Sequence, residues 1–513
     1  MTPGQDFVEA PTSAREEEQK YSVHGLFTLP VLTEPTVGLA SAHPLPSQTL
    51  RAVYYDSDDL RLARDGITLR HRTGEGPARW TLKLPKGSKD DPESVLVRDE
   101  IEVFGAGRDI PGELTALLTG WLRGAELGPV ATLRTARSIL MLRGDEGEDL
   151  LEVVDDTVSV QEGRRVVSRF REIEVEVKGE LPPLAFSTVT SLLAAAGAVP
   201  GDQLPKVVRA LGPRAVAPPE LPRPGKVLAS DPASELVASS LRTGTRRLLL
   251  ADIGVRRREE DAVHQMRVAC RRMRGDLKTF RPLIEPLWGE SLRTELSWLA
   301  GCLGDARDLE VLRERLQGMV SDATPPYDQD AFQRIDAILA EREEVALGVG
   351  ADALASDRYL RLLDILVDAA RTPVVSPAAA ASCAKALPPL VRGTWDKLAK
   401  RARKLAHDDR DELWHEARIK AKQARYAAEA VTDVLGKGAA RMAAAAKSAQ
   451  EVLGEHQDAA IAADTLNDLG HQHLGDGALC LAAGRLVQAN RCAVTESRRA
   501  FGPAWKAARK AVG

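Results

Sequence analysis

Two patterns of hydrophobic and polar positions divide the chain. Up to about residue 210 they alternate in short runs: "EEEQKYSV" (16–23), "GITLRHR" (66–72), "ARWTLKLP" (78–85), "VLVRDEIEVF" (95–104), "LLEVVDDTVSV" (150–160) and "RFREIEVEVK" (169–178). Alternation with period two, broken by Gly, Pro and Asp, predicts antiparallel strands. From about residue 232 the runs lengthen and become rich in Ala and Leu, as in "SELVASSLRTGTRRLLLADI" and "AAAAKSAQEVLGEHQDAAIAADTL", which predicts helices. Between them lies "GPRAVAPPELPRPGK" (212–226), whose five prolines predict a semi-rigid linker and a domain boundary.

The polar positions of the strands carry charge in rows. Glu16, Glu18 and Lys20 share a face, as do Arg70 and Arg72, then Arg98, Glu100 and Glu102, then Glu172, Glu174, Glu176 and Lys178. A sheet wetted on one face gives the same alternation. The rows recur, however, with acids on some strands and bases on others, and closing such a sheet would put both signs inside one tube. Unpaired charges in a lumen are costly. A metal–phosphate ligand supplies partners for both, because carboxylates hold a hard divalent cation through oxygen while Arg and Lys grip phosphate.

Length and composition narrow the setting. At 513 residues the chain exceeds one core and predicts two to four domains. The net charge of −4 means that any basic cluster is local. The five cysteines are scattered without a CxxC pair and predict reduced thiols, neither a disulfide framework nor a zinc site. The first twenty residues are polar and no apolar run approaches the roughly 20 residues of a membrane span. The expectation is a cytoplasmic protein with no membrane partner.

The ordered charged series resembles the CYTH domain, also called the triphosphate tunnel metalloenzyme family, over residues 13–212. Its carriers are the ExExK signature Glu16, Glu18 and Lys20, then "YYDSDDLRLARDGITLRHR", "WTLKLP" with Lys83, "VRDEIEV" with Arg98 and Glu100, "LRTARS" with Arg134 and Arg137, "VVDDTV" with Asp156, and "REIEVEVK". The resemblance implies an eight-stranded antiparallel β tunnel that binds triphosphate with Mg²⁺ or Mn²⁺. It assigns the metal to Glu16 and Glu18 with Glu172 or Glu174. It assigns phosphate to Lys20, Arg70, Arg72, Lys83, Arg98, Arg134, Arg137 and Lys206, with Asp156 also in the site; Glu16, Glu18, Lys20 and Lys83 form the catalytic group. Pro205 stands where relatives often have Ser before the late lysine. His71, between Arg70 and Arg72, falls on the other face and reads as structural.

The helical half contains one stripe written twice. In "HQMRVACRRMRGDLK", His264, Arg267, Arg271, Arg274 and Lys278 point at about 0°, −60°, −20°, −80° and −40° around a helix. In "HEARIKAKQARY", His415, Arg418, Lys422 and Arg425 repeat the first four offsets. Downstream, "LGDARD" carries Gly304 and Asp308, and "LGEHQD" carries Gly454 and Asp458. The His-to-Gly separations are 40 and 39 residues, the mark of an internal duplication. Spaced cations on rigid helices suit a long polyanion. Binders of single-stranded nucleic acid interleave aromatics for stacking, and aromatics are 4% of this chain. Nucleic acid is therefore disfavoured and inorganic polyphosphate favoured.

The histidine–arginine spacing and the "LGDARD" segment, with their second copies, resemble the CHAD domain, a helical module whose members bind polyphosphate and often follow CYTH. It covers residues 232–508 as an all-α domain of two repeated helical bundles, joined to the tunnel by a linker at 213–231. Lys422 and Gln457 replace Arg271 and Arg307 in the second copy. The two resemblances together imply a metal-dependent hydrolase of inorganic triphosphate joined to a polyphosphate binder, with association to polyphosphate granules. A non-catalytic polyphosphate-binding protein, and a tunnel acting on an organic triphosphate as in adenylate cyclases or thiamine triphosphatases, are the alternatives.

Overall fold

Alternation becomes strands where the pattern predicts them. The computed structural model describes residues 18–85, 98–107, 109–201, 204–320, 326–405 and 410–512. Among these, the first half forms β1 (Glu18–Val23), β2 (Ser41–Pro44), β3 (Gln48–Asp56), β4 (Thr68–Thr73), β5 (Arg79–Pro85), β6 (Arg98–Phe104), β7 (Gly128–Arg143), β8 (Asp149–Glu162), β9 (Arg165–Val177) and β10 (Val199–Pro200). They make one tunnel-like antiparallel sheet in the order β10-β1-β9-β8-β7-β3-β4-β5-β6, with β2 paired to β7. The expected eight strands are thus ten. The two additions, β2 and β10, are only four and two residues long and too short to show as alternation.

The two faces of the sheet have different fates. Tyr21, Val153, Ile173 and Val175 alternate onto the outer face and pack under a helix at Ala185–Ala195, through Ala185, Val189 and Leu193. On the inner face, Ala52, Tyr54, Leu133, Val158 and Val160 make an apolar patch covered by Val207 and Val208 of the short helix Lys206–Leu211. Pro205 precedes that helix at its N-cap, where its fixed φ and missing N–H are tolerated. Much of the rest of the inner face is charged, with Gln48, Thr81, Thr135 and Val154 interspersed. The predicted lumen is therefore part apolar, plugged by its own chain, and part polar.

The chain divides into two compact units, Met1–Glu220 and Leu221–Gly513. The proline-rich segment is shared between them. Arg64 Nε donates to Arg214 O (3.1 Å) and Arg123 pairs with Glu220 on the first side. On the second, Arg246 Nη2 donates to Leu221 O (3.3 Å), and Leu221 is buried.

The second unit is all helical among its described residues. The helices used below are α1 (Ala262–Thr279), α2 (Pro286–Cys302), α3 (Gly304–Met319), α4 (Asp411–Glu429) and α5 (Lys437–Gln472). The two copies of the duplication differ in one respect. Leu303 interrupts the first copy between α2 and α3, whereas the matching stretch of the second runs unbroken through the 36 residues of α5, with Gly454 inside the helix. Apolar residues of α3 and α5, including Leu312, Leu316, Leu466 and Leu469, share one core with Ile335, Leu339 and Leu486 from two further helices. No described helix is long and apolar enough to cross a membrane.

Candidate functional site

Strand register decides which charges meet. Across the sheet, Gln48, Arg137, Asp156, Glu172 and Ser22 lie in one row, and Lys20 stands opposite Glu174. Arg137 grips Asp156 with two bonds, Nε–Oδ1 at 2.9 Å and Nη2–Oδ2 at 2.7 Å. Burial works against the Arg137 charge, but the fully buried Asp156 carboxylate outweighs it and raises its pKa. The Lys206 ammonium lies 2.9 Å from Asp156, 2.8 Å from Glu172 and 2.9 Å from Glu174. Lys20 meets Glu174 at 2.9 Å. Burial opposes the Glu174 charge, yet Lys206 and Lys20 hold its carboxyl far below the usual range; the same carboxylates lift Lys206.

A second group lies on β4, β5 and β6. Thr68, Lys83 and Glu100 share one row and Arg70, Thr81 and Glu102 the next. Glu100 accepts from Lys83 at 2.7 Å and lies 3.8 Å from Arg70. Arg72 contacts Glu75 at 2.9 Å, and burial followed by the nearby Arg70 charge pushes its guanidinium down to about 10. The buried Nε–H groups of Arg70 and Arg72 find no acceptor among the described residues. Buried donors without partners cost stability, and phosphate oxygens are the acceptors that would satisfy them.

Most of the expected tunnel residues are thereby gathered: Lys20, Arg70, Arg72, Lys83, Arg137, Asp156, Glu172, Glu174 and Lys206 all lie on the inner face. Arg134 does not. It stands three residues from Arg137, so alternation sends it to the outer face, where it is exposed in register with Arg51 and Ser159. Glu16 and the side chains of Glu18 and Arg98 lie outside the described residues. Two inner-face bases were missed. Arg79 pairs with Glu102 (3.0 Å) and Glu75 (3.1 Å). Arg209 holds Glu172 (2.8 Å) and stacks 4.3 Å over Phe170. Arg79 was readable, since it alternates with Lys83. Arg209 shares a helix face with Lys206, but the helix is only six residues long. His71 bonds Gly105 O (3.0 Å) and packs on Trp80, a structural role.

In the helical unit, α1 and α4 pack against each other and bring both stripes together. Arg267 donates to Gly304 O (2.6 Å) and Asp308 (3.1 Å); in the second copy Arg418 donates to Asp458 (3.3 Å). The duplicated Asp positions thus hold the duplicated arginines, and in the first copy the Gly carbonyl adds a second acceptor. Burial, then Arg418 and Arg271, push Lys422 down to about 7. Burial also lowers Arg418, against the pull of Asp458. Burial and then Lys420, Arg293, Lys397 and Arg274 lower Lys278, so cations from several helices crowd this end of the stripe. The buried Nε–H groups of Arg274 and Arg418 have no acceptor among the described residues. His264 is lowered by burial and by Arg307. His415 Nδ1 lies 2.6 Å from Gln457, the residue that replaces Arg307 in the second copy. Arg425 bonds Glu429 at 2.6 Å.

These arrangements agree with two family models, the CYTH domain over residues 33–210 and the CHAD domain over 239–467. The chain belongs to the CYTH–CHAD proteins. The ExExK residues precede the matched CYTH segment. Two uncharacterised proteins of Mycobacterium tuberculosis (strains CDC 1551 / Oshkosh and ATCC 25618 / H37Rv) are each 33% identical over 486 residues, 90% of this chain and 90% of theirs. Among solved structures, PptA from Streptomyces chartreusis is 26% identical at a TM-score of 0.45, over 54% of this chain and 100% of that one. The CHAD domain from the plant Ricinus communis is 28% identical at 0.45, over 56% of this chain and 96% of that one.

CYTH domains bind triphosphate substrates, generally use divalent metals, and include triphosphatases and cyclases. The donor chemistry in this CYTH–CHAD chain fits such an ion. Asp156, Glu172 and Glu174 converge on a single cationic atom, Lys206 Nζ, and carboxylate oxygens are the ligands that Mg²⁺ and Mn²⁺ prefer. Among the described residues no group of three or more His, Cys, Asp or Glu side chains is placed to hold a metal ion, and Lys206 occupies the point where these three carboxylates meet.

Proposed function

We propose that the tunnel of this CYTH–CHAD protein hydrolyses inorganic triphosphate with Mg²⁺ or Mn²⁺, and that the helical domain binds inorganic polyphosphate. The observation that carries the first part is that the inner face carries both Arg70 and Arg72, whose buried Nε–H groups have no acceptor among the described residues, and a separate carboxylate cluster at Asp156, Glu172 and Glu174. One group suits phosphate and the other suits a metal. Glu172 and Glu174, with Glu16 and Glu18, would hold the metal. When bound, it supplies Lewis-acid polarisation and lowers the pKa of a ligated water.

The remaining work belongs to the chain's own side chains. Arg70, Arg72 and Arg137 orient the phosphate groups and offset the charge that develops on the leaving pyrophosphate. Lys83 and Lys20 add donors from the neighbouring strands. The apolar patch under Val207 and Val208 excludes water from one end of the face. The reading takes the inorganic substrate because the inner-face groups that carry it are charged donors and carboxylates, which recognise phosphate and metal without a base or ring.

Phosphate release from tripolyphosphate, with Mg²⁺ or Mn²⁺ across a pH series, tests the catalytic half. Glu18→Gln and Glu172→Gln should each lower the rate by roughly 10² or more, the scale for removing a group that stabilises transition-state charge. Wild-type protein as inactive as both variants throughout would refute turnover and leave a phosphate-binding tunnel.

A further inference from the structure

The duplication places unlike residues at one contact. Because Arg274 and Arg425 occupy the same offset, Gly275 and Tyr426 correspond, and these two positions meet where α1 packs on α4. A Cβ added to Gly275 would lie 3.8 Å from Tyr426 Cδ2 and 3.9 Å from its Cβ. A methyl group fits, but a second tyrosine directed along the same bond would meet the first ring. The duplicated helices can therefore hold one ring at this crossing, and the second copy supplies it.

That ring is surrounded by cations. The guanidinium carbons of Arg271, Arg272 and Arg425 lie 5.9, 5.2 and 5.8 Å from its centroid. Arg271 Nε donates to the Tyr426 hydroxyl at 3.1 Å. Glu429, one turn further along α4, takes Arg425 on one oxygen (2.6 Å) and Arg272 on the other (3.0 Å). Three like charges from two helices are thus fixed around one buried aromatic face and one carboxylate. A cation over an aromatic ring is attracted to it, and the hydroxyl removes one rotational choice from Arg271. Fixing donors before an anion arrives lowers the ordering cost of binding.

Resting on the reading of this domain as a polyphosphate binder, we propose that Tyr426 is a positioning residue that presents Arg271, Arg272 and Arg425 as one preorganised unit to the phosphate chain. It touches the arginines and acts through them. The single aromatic in the two stripes is then a scaffold for guanidinium groups, not a platform for a base.

The test is titration of the full chain with long-chain inorganic polyphosphate at several salt concentrations, alongside thermal unfolding. Tyr426→Phe keeps the ring and loses the Arg271 bond; affinity should fall roughly three- to tenfold, the size of one hydrogen bond, with the salt slope unchanged. Tyr426→Leu loses the ring; the slope of log affinity against log salt should shrink by about 1 to 2 as guanidiniums disengage. A purely structural role would shift the unfolding temperature and leave that slope alone. Phe and Leu variants that fold and bind as wild type does would overturn the proposal, and the Phe variant alone decides if Leu does not fold. Loss of binding in Arg267→Ala with Arg418→Ala, alongside indifference at Tyr426, would sink this inference while sparing the domain's function; a wild type that binds no polyphosphate would sink both.

Discussion

Lys422 shows how a single side chain carries the chemistry of its surroundings. It replaces an arginine of the first copy, and it faces Arg418 on its own helix, Arg267 and Arg271 on α1, and Asp458 on α5. Its folded pKa of about 7 lies below the ordinary lysine value near 10.4. Between those limits the folded protein binds fewer protons than the unfolded chain, so this group adds stability as pH rises from about 7 and its full penalty is present below that. On the proposed function, a bound phosphate chain would reverse the balance by favouring the charged form, and binding would then take up a proton. Polyphosphate affinity should fall as pH climbs from 7 to 9, by at most about tenfold per unit for one linked proton. Titrations at constant ionic strength measure this, and Lys422→Arg, which stays charged, should flatten the curve. An equally steep curve in the arginine variant would assign the linkage elsewhere. Arg134 carries the opposite lesson. Its distance of three from Arg137 already excluded it from the tunnel face, so its displacement was legible from alternation alone.

At the scale of elements, both sites come from pairing rather than from any one strand or helix. The stripes of α1 and α4 were legible as offsets, because helical periodicity is local. Their convergence was not, because helix packing depends on which apolar faces meet. The short helix Lys206–Leu211 likewise gives no periodic signal, yet it places Lys206 among three carboxylates, Arg209 on Glu172, and two valines over the apolar half of the lumen. Removing the matched pair Arg267 and Arg418 should cut polyphosphate affinity by roughly 100-fold, each contributing a charge-assisted bond. The salt slope should fall by about 2, since two phosphates lose their cations. Binding curves of the double alanine variant at several salt concentrations, with circular dichroism to confirm helicity, check it; unchanged binding would end the account of the stripes.

For the whole molecule, the described core clusters and charged groups of each unit are built from that unit's own residues, so the two proposed functions are expected to separate. Arg267→Ala with Arg418→Ala should leave the rate of tripolyphosphate hydrolysis within about twofold of wild type, and Glu172→Gln should leave polyphosphate affinity equally undisturbed, because sites without shared partners behave additively. Loss of both activities in either variant would show instead that one site depends on the other. By itself the sequence determined the strand-then-helix order, the proline-rich boundary, the charged strand faces and the duplicated cationic stripe. All of these are consequences of local periodicity or of repetition, and each is complete within a few turns or a single strand. Only the tertiary structure decided the strand registers, the self-plugged apolar half of the tunnel, the capture of Lys206 by Asp156, Glu172 and Glu174, and the meeting of Tyr426 with Gly275. Those depend on contacts between residues far apart in the chain, where burial and charge pairing select one partner from many with the same local pattern.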